Sequence, residues 1–533
     1  MGKYYFYIIV FLLSTGAFGH AQTQLNSDTI SLLSGKQEIS FDIPKHSFRQ
    51  VDLSLFLQLE ESCVFKKGDY LSLQLDIDKP NPVGEKIEFA RIYLPSYYKN
   101  RVAGNQIIYN FDLTLWQSLL VKNGRITVQF SGESPGLKMA FSFLLDKGEM
   151  PVKVLDIIPL WQSSEDGFPY GKNGVDAEYL PSRRVHLPEL SASAFISIIV
   201  SGKSEDISKE QSARFYFLSV NNQEISKRSI WRDDCGLNPI FPQLEAWSSN
   251  HPNWCPGLRV NPLVHYLNKE SLKQEDIKVD MRFQKDLYEN SGVQSYITSA
   301  VLFALAEPTE KLNVSISEII APNIDLWHHR YNPICGNPII LIQNNGKETV
   351  NTITFNYGYN YQTDNKFRWK GELGFMEQEI VYLPSLNWYF YDKYDEPETF
   401  TAHISKVNGQ EKAYLRGKKT SVMELADVFP YKLSFEIQTG DDAQYNGLEI
   451  FNEDGDIVYM SEELSDHKNY QFNLSLNPGC YEMIFYDEQG NGIKLPNSKA
   501  SCLKVKDQKN GIVLKEYQGD FGLEIREQFM IFR

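Results

Sequence analysis

From Gln50 to Leu59 the chain sets Val51, Leu53, Leu55, Leu57 and Leu59 at every second position. Side chains two apart share one face of a pleated strand, so this spacing makes a strip with one apolar and one wetted side and suits no helix. The alternation returns at Arg125 to Phe130 and Lys153 to Ile158, and in short runs nearly everywhere, separated by Gly, Asn, Asp and Pro turns. Helical periodicity is scarce; the candidates are Leu113 to Val121 and, more weakly, Leu263 to Gln274. Many short strands at this spacing predict an all-β chain of sandwiches.

At 533 residues the chain is too long for one core. Residues 1–21 read as a secretory signal: Lys3 gives the positive start, Tyr4 to Leu13 the short apolar stretch, and Gly19-His-Ala21 the small-residue cleavage site before Gln22. That stretch is too short to span a bilayer, so the expectation is an exported protein, periplasmic or secreted, with no transmembrane segment. Turn-rich breaks at Lys147-Gly-Glu-Met-Pro151 and Ala306-Glu-Pro-Thr309 suggest domains over 22–150, 151–309, 310–420 and 421–533. Hydrophobic content of 42% with 13% aromatics fits large buried cores, and a net charge of −15 disfavours nucleic acid as a partner. Six cysteines in an exported chain read as partly paired, Cys235 with Cys255 and Cys480 with Cys502, leaving Cys63 and Cys335 over.

Two turns define the middle of the chain. Cys235-Gly-Leu-Asn-Pro239 and Asn253-Trp-Cys-Pro-Gly257 bracket a loop carrying Trp247, His251 and Trp254, a disulfide-closed loop rich in side chains that stack on sugars. Upstream lies Asp166-Gly-Phe-Pro-Tyr-Gly-Lys172. In this order the segments resemble the bacterial peptide-N-glycosidase F family, secreted enzymes that remove N-linked glycans from asparagine. The resemblance implies two adjacent eight-stranded jelly-roll sandwiches with the active site where they meet. It also implies a monomer that needs no cofactor and acts on N-linked glycans or glycoproteins. Asn337-Pro-Ile-Ile-Leu-Ile-Gln-Asn-Asn-Gly346 and Thr352 to Tyr357 look like an immunoglobulin-like module, and Leu433 to Asp442 with Pro478 to Asp487 are similar to small C-terminal sandwiches of secreted Bacteroidetes proteins.

The resemblance carries over unevenly to the reacting groups. Aligned on Tyr70, the family's catalytic aspartate falls on Gly68, with Asp69 one place along. One residue on a strand flips the face, so Asp69 serves if the shorter loop re-aims it; an Asp in a Lys-Gly-Asp turn is also an ordinary turn residue. Counting back from Cys235 puts the family's glutamate on Glu210 and a nearby arginine on Arg214. A third acid falls on Ser131, with Glu133 two residues on and on the same face if the strand continues through Gly132. The family's arginine before the Trp-Cys-Pro-Gly turn is His251, which lacks the forked charge of Arg. Catalysis is thereby assigned to Asp69 and Glu210, and substrate binding to Glu133, Trp161, Arg214, Trp247, His251 and Trp254.

Other patterns are set aside. Gly132-Glu-Ser134-Pro-Gly136 matches the nucleophile-elbow string, but the following residues alternate as a strand where that motif needs a helix. His46, His186, His251 and His265 are too scattered for a copper site, and no metal is expected. Asp487-Glu-Gln-Gly-Asn-Gly492 and Glu453-Asp-Gly-Asp456 are acidic turns with the oxygens for calcium, though such turns more often hold no ion.

Three functions follow. An active amidase would set Asp69 or a substitute carboxylate opposite Glu210 across the domain interface. A glycan- or glycoprotein-binding relative without catalysis would keep an open cleft lined by Trp161, Trp247 and Trp254. An adhesion protein acting through the modules beyond residue 310 would have its cleft plugged by the loop from Ser226 to His251.

Overall fold

The structure, a computed structural model, describes residues 22–532 apart from 33–34, 60–67, 78–83, 96–105, 133–136, 170–177, 204–213, 242, 244–246, 269, 285–294, 361, 389–397, 412–416 and 496–499. The expected signal, Cys63, Glu133 and Glu210 lie outside the described residues.

The alternating runs become paired strands. In the first sandwich one sheet runs in the order Gln22–Asn26, Leu137–Lys147, Phe48–Leu59, Gln106–Asp112, and the other Gly35–Ser40, Arg125–Phe130, Tyr70–Asp76, Lys86–Tyr93. Leu53, Leu55 and Leu57 face Leu71, Leu73, Ile126 and Val128 in one dry core, as their period of two requires. In the second sandwich Val154–Gln162, Ser295–Leu305, Ser193–Lys203 and Leu263–Tyr266 form one sheet, facing Arg183–His186, Asp276–Phe283, Phe215–Val220 and Gln223–Ser229. Two more sandwiches follow over Val314–Val422 and Asp427–Ile531.

Helix forms over Gln117–Asn123, after one 3-10 turn, and stops at Gly124, whose left-handed φ of 57° lets its N–H reach back to Leu120. The second helical candidate is not one. Leu263–Tyr266 pairs as a strand with Phe195–Ile198, burying His265 and exposing Val264 and Tyr266, and only Ser271–Lys273 makes a 3-10 turn. Leu137–Lys147 is a strand, where the nucleophile-elbow motif needs a helix.

Cys235 and Cys255 are bonded, with Cα atoms 5.5 Å apart. The second expected pair is corrected: Cys480 bonds Cys335, and Cys502 is a buried free thiol. Cys480 opens strand Gly479–Asp487 with its side chain in the third sandwich's core, whereas Cys502 packs in the fourth sandwich's own core. The bond therefore staples two sandwiches rather than two strands of one. Burial pushes the Cys502 thiol up to about 12, so it stays protonated and inert.

The segment Asp325–Cys335 of the third sandwich wedges among the other three. Trp327 packs on Tyr109 of the first, with ring centroids 5.4 Å apart. Arg330 donates to the carbonyls of Gly236 and Asn238 at 3.3 Å in the second, and of Phe521 at 3.3 Å and Glu524 at 2.6 Å in the fourth. Its guanidinium lies 4.4 Å over the Phe241 ring. Burial lowers its pKa to about 10, which still leaves it charged at neutral pH. Replacing Arg330 with Met leaves four carbonyls without this donor, and denaturant titration should show a loss of about 2–4 kcal/mol, with Arg330→Lys recovering less than half.

Candidate active site at the junction of the first two sandwiches

The outward face of the sheet containing Tyr70–Asp76 is polar, yet it is buried. Register sets Ser72 beside Arg91 and Gln129, and Gln74 beside Thr127, all on the face opposite Leu71 and Leu73. These polar residues are covered by the second sandwich, and their hydrogen bonds explain why that is tolerable. Arg91, 1% exposed, donates to Glu88 at 3.1 and 2.5 Å, to Ser201 Oγ at 2.8 Å and to the Ile297 carbonyl at 2.7 Å. Burial opposes its charge, but Glu88 together with the Tyr93 and Tyr70 phenols outweighs that and raises the guanidinium pKa. Tyr93 hydroxyl shares Ser201 Oγ at 2.8 Å. Apolar groups seal both flanks: Ile87, Ile157, Phe195, Val301 and Phe303 on one, and Tyr70, Tyr93, Ile199, Trp254 and Ile297 on the other.

Asp69 stands where this interface opens. Gly68 before it has a φ of 93°, a conformation that favours glycine, so an aspartate at that position would be strained. The Leu94 N–H donates to the Asp69 carbonyl at 2.8 Å, and the Tyr70 N–H to Ser131 Oγ at 2.8 Å. The turn brings Asp69 Oδ2 against Gly132, 2.9 Å from where a Cβ there would lie. Asp69 and the residues Ser131–Gly132, just beyond strand Arg125–Phe130, are thus together.

One carboxylate at this rim escaped the sequence reading. Glu165, exposed on the Ser164–Gly167 turn of the second sandwich, accepts a hydrogen bond on Oε1 from Gln129 Nε2. Gln129 Oε1 accepts from Gln74 Nε2 at 3.0 Å, and Gln74 Nε2 also reaches Ser72 Oγ at 3.1 Å. Burial holds the neighbouring Tyr70 phenol well above its ordinary pKa against the Arg91 charge, with Tyr93, Glu88 and Glu165 adding to the upward shift. The signal in the sequence was slight: Glu165 immediately precedes the Asp166-Gly-Phe-Pro turn already singled out.

The aromatic residues expected to bind substrate do other work, and these assignments are corrected. Trp161, 1% exposed, lies in the second sandwich's core with its Nε1 on the Pro181 carbonyl at 2.9 Å. Trp247 docks the loop on the fourth sandwich, donating to Asp520 Oδ1 at 2.8 Å and stacking on Phe241. Trp254 has both faces covered, by Tyr93 at 4.3 Å and 16° and by His251 at 4.1 Å and 10°. A ring covered on both faces has none left for a sugar. His251 is buried, bridged through its backbone to Arg232. Arg214 is half-buried, and its carbonyl accepts the Ile230 N–H at 2.6 Å.

Among the described residues no group of three metal-binding side chains forms. His265 Nε2 lies 2.5 Å from the Tyr216 hydroxyl, and burial lowers its pKa to about 4. In the Asp487 turn, Oδ2 accepts the N–H groups of Asn491 and Gly492 at 2.7 and 2.9 Å, and Oδ1 accepts Asn446 Nδ2 at 2.9 Å. In the Glu453–Asp456 turn, Asn452 Oδ1 accepts the Asp454 and Asp456 N–H groups. Both turns are closed by hydrogen bonds from within the chain.

No family model matches the chain, and no curated protein matches it. Among solved structures it is similar to recombinant peptide:N-glycanase F (PNGase F), at 20% identity and a TM-score of 0.47, over 54% of this chain and 96% of that one. It is likewise similar to PNGase F described as a glycosylasparaginase from Flavobacterium meningosepticum, at 19% identity and a TM-score of 0.46, over 54% and 96% of the two chains. A third similarity is to PNGF-II, at 13% identity and a TM-score of 0.42, over 54% of this chain and 65% of that one.

The buried ion pair makes its own prediction. Glu88→Gln strands the Arg91 charge and should destabilise the protein by about 3–5 kcal/mol, whereas Glu88→Leu combined with Arg91→Met should cost less than either single change. Unfolding midpoints of Glu88→Gln, Glu88→Leu, Arg91→Met and the double variant measure this.

Proposed function

We propose that this protein is a peptide-N-glycosidase F-like hydrolase. Its reaction would be hydrolysis of the amide between an N-linked GlcNAc and asparagine, at the rim of the junction between the first two sandwiches. In this reading residues 22–150 and 151–309 form the hydrolytic half, and 310–420 and 421–533 are accessory. Export directed by residues 1–21 would bring the protein to its glycoprotein partners.

The observation that carries the reading is the placement of Asp69. Its turn sets the carboxylate against the Ser131–Gly132 strand end, at the same junction on which the disulfide-closed loop lies. Leu258, just beyond that loop, accepts the Tyr93 N–H at 3.0 Å, and Val260 donates to the Arg91 carbonyl at 2.8 Å. Loop and acid are therefore built onto one sheet edge. Cleaving the amide requires a base to take the proton from water and a donor to the leaving nitrogen. Asp69 would serve as the base, with Glu210 as a second acid. The Ser131 hydroxyl accepts the Tyr70 N–H and still has its own hydrogen to donate toward a developing oxyanion.

A glycan- or glycoprotein-binding role without catalysis is the second reading, favoured by Ser131 and His251 where the family has an acid and an arginine.

Digestion of a denatured N-glycoprotein in heavy-oxygen water tests the choice. The expected outcome is glycan release with labelled aspartate at the former asparagines, falling about 10²-fold or more in Asp69→Asn. Intact glycoprotein after prolonged incubation would overturn the hydrolase and leave the binding reading.

A further inference from the structure

We infer that Glu165 is a catalytic carboxylate of this site, supplied by the second sandwich to face Asp69 from across the junction. This rests on the hydrolase reading and adds to it a residue that the resemblance does not assign.

The case starts from how the carboxylate is held. Gln129 Nε2 donates to Glu165 Oε1, and Gln129 is itself fixed by Gln74, both amides being buried. An amide chain of this kind locks an acceptor in place without neutralising it, which a lysine or arginine partner would do. The backbone beneath is pinned as well. Lys203 Nζ donates to the Glu165 carbonyl at 2.8 Å, and Ser295 Oγ to the Asp166 carbonyl at 2.6 Å. Gly167 turns with a φ of 74° close against Ser295 and Tyr296, where a side chain would not fit. An exposed surface glutamate ordinarily has none of these restraints; this one is aimed.

Its direction matters. Gln129 and Ser131 lie on the same face of one strand, about 7 Å apart along it. Ser131 marks the Asp69 end of that face, and Gln129 marks the Glu165 end. A partly exposed carboxylate of the first sandwich and an exposed one of the second are therefore held at the two ends of this short face, and Glu165 lies near enough to Tyr70, the residue next to Asp69, to act on its phenol. In the reaction, water adds to the asparagine side-chain carbonyl carbon as Asp69 takes its proton. The carbon–nitrogen bond then breaks as the proton that Asp69 took from water passes by way of Glu165 to the leaving nitrogen, giving the aspartic acid side chain and the glycosylamine. No oxidant, reductant or metal is required.

The test uses the full exported chain and a defined N-glycopeptide, with kcat and KM followed across pH. Glu165→Gln should lower kcat about 10²-fold or more with KM within threefold. Glu165→Ala should regain activity with added azide or formate, a response that a merely structural role would not give. The unfolding midpoint of Glu165→Gln should be unchanged, because its amide oxygen can still accept from Gln129. Wild-type turnover with Glu165→Gln equally active would overturn Glu165 alone. Absence of turnover in the wild type would overturn the hydrolase reading and this assignment together.

Discussion

Arg91 is a cation with almost no water, and the arrangement of the first two sandwiches depends on satisfying it. An unpaired charge at such a depth costs several kcal/mol, so the second sandwich must bring Ser201 and the Ile297 carbonyl to the donors that Glu88 leaves. Few rigid placements of one sandwich on another meet both acceptors at 2.7–2.8 Å while also seating Phe195 and Phe303 against Ile87. Apolar contact supplies most of the attraction at such an interface, being roughly proportional to area and blind to direction. The polar centre supplies the direction. It also explains how Ser72, Gln74, Thr127 and Gln129 come to be buried, and why a carboxylate of the second sandwich meets an amide of the first.

The rest of the chain is tied to this pair through one segment. Trp327, Arg330 and Cys335 lie within nine residues and reach the first, second and fourth sandwiches in turn. The terminal nitrogens of Arg330 are bonded by carbonyls rather than by a carboxylate, the five-donor fork of the guanidinium letting it reach acceptors on two sandwiches at once. Phe241 and Trp247, both from the disulfide-closed loop, stack beneath it. The loop is held from behind by the C-terminal half and from the front by Trp254 on Tyr93. Its aromatic residues are consumed in holding it there.

That consumption marks the limit of what the residues disclosed in advance. The strands were legible because a period of two is a local property, visible in Gln50–Leu59 without a partner. The Cys235–Cys255 closure was legible because each cysteine sits in its own Gly/Pro turn. The Cys335–Cys480 bond was not, since 145 residues separate its ends and a nearer candidate, Cys502, competed on spacing alone. Trp161, Trp247 and Trp254 have the side chains that stack on sugars, but those same side chains pack cores and domain contacts, and only neighbours distinguish the uses. Asp69 was legible as an acid next to Gly68; that Gly68 adopts a positive φ, which an aspartate there would not tolerate, belongs to the folded turn. Glu165 was invisible because its meaning lies in Gln129, on another sandwich.

With the tryptophans committed, the proposed recognition of a glycan at this junction would rest on other groups of the rim. The described groups there are polar: Asp69, the Ser131 hydroxyl, Glu165 and Lys203. Such groups recognise a sugar by its hydroxyl and amide hydrogens rather than by its apolar ring faces. Hydrogen bonds of this kind are strict about geometry and return little net affinity, because each replaces one made with water. A site so composed would bind weakly and discriminate by orientation. That places more of the demand on the rigidity of the two carboxylates than on the depth of a pocket. The amide chain behind Glu165 and the tight turn behind Asp69 are where this fold supplies that rigidity.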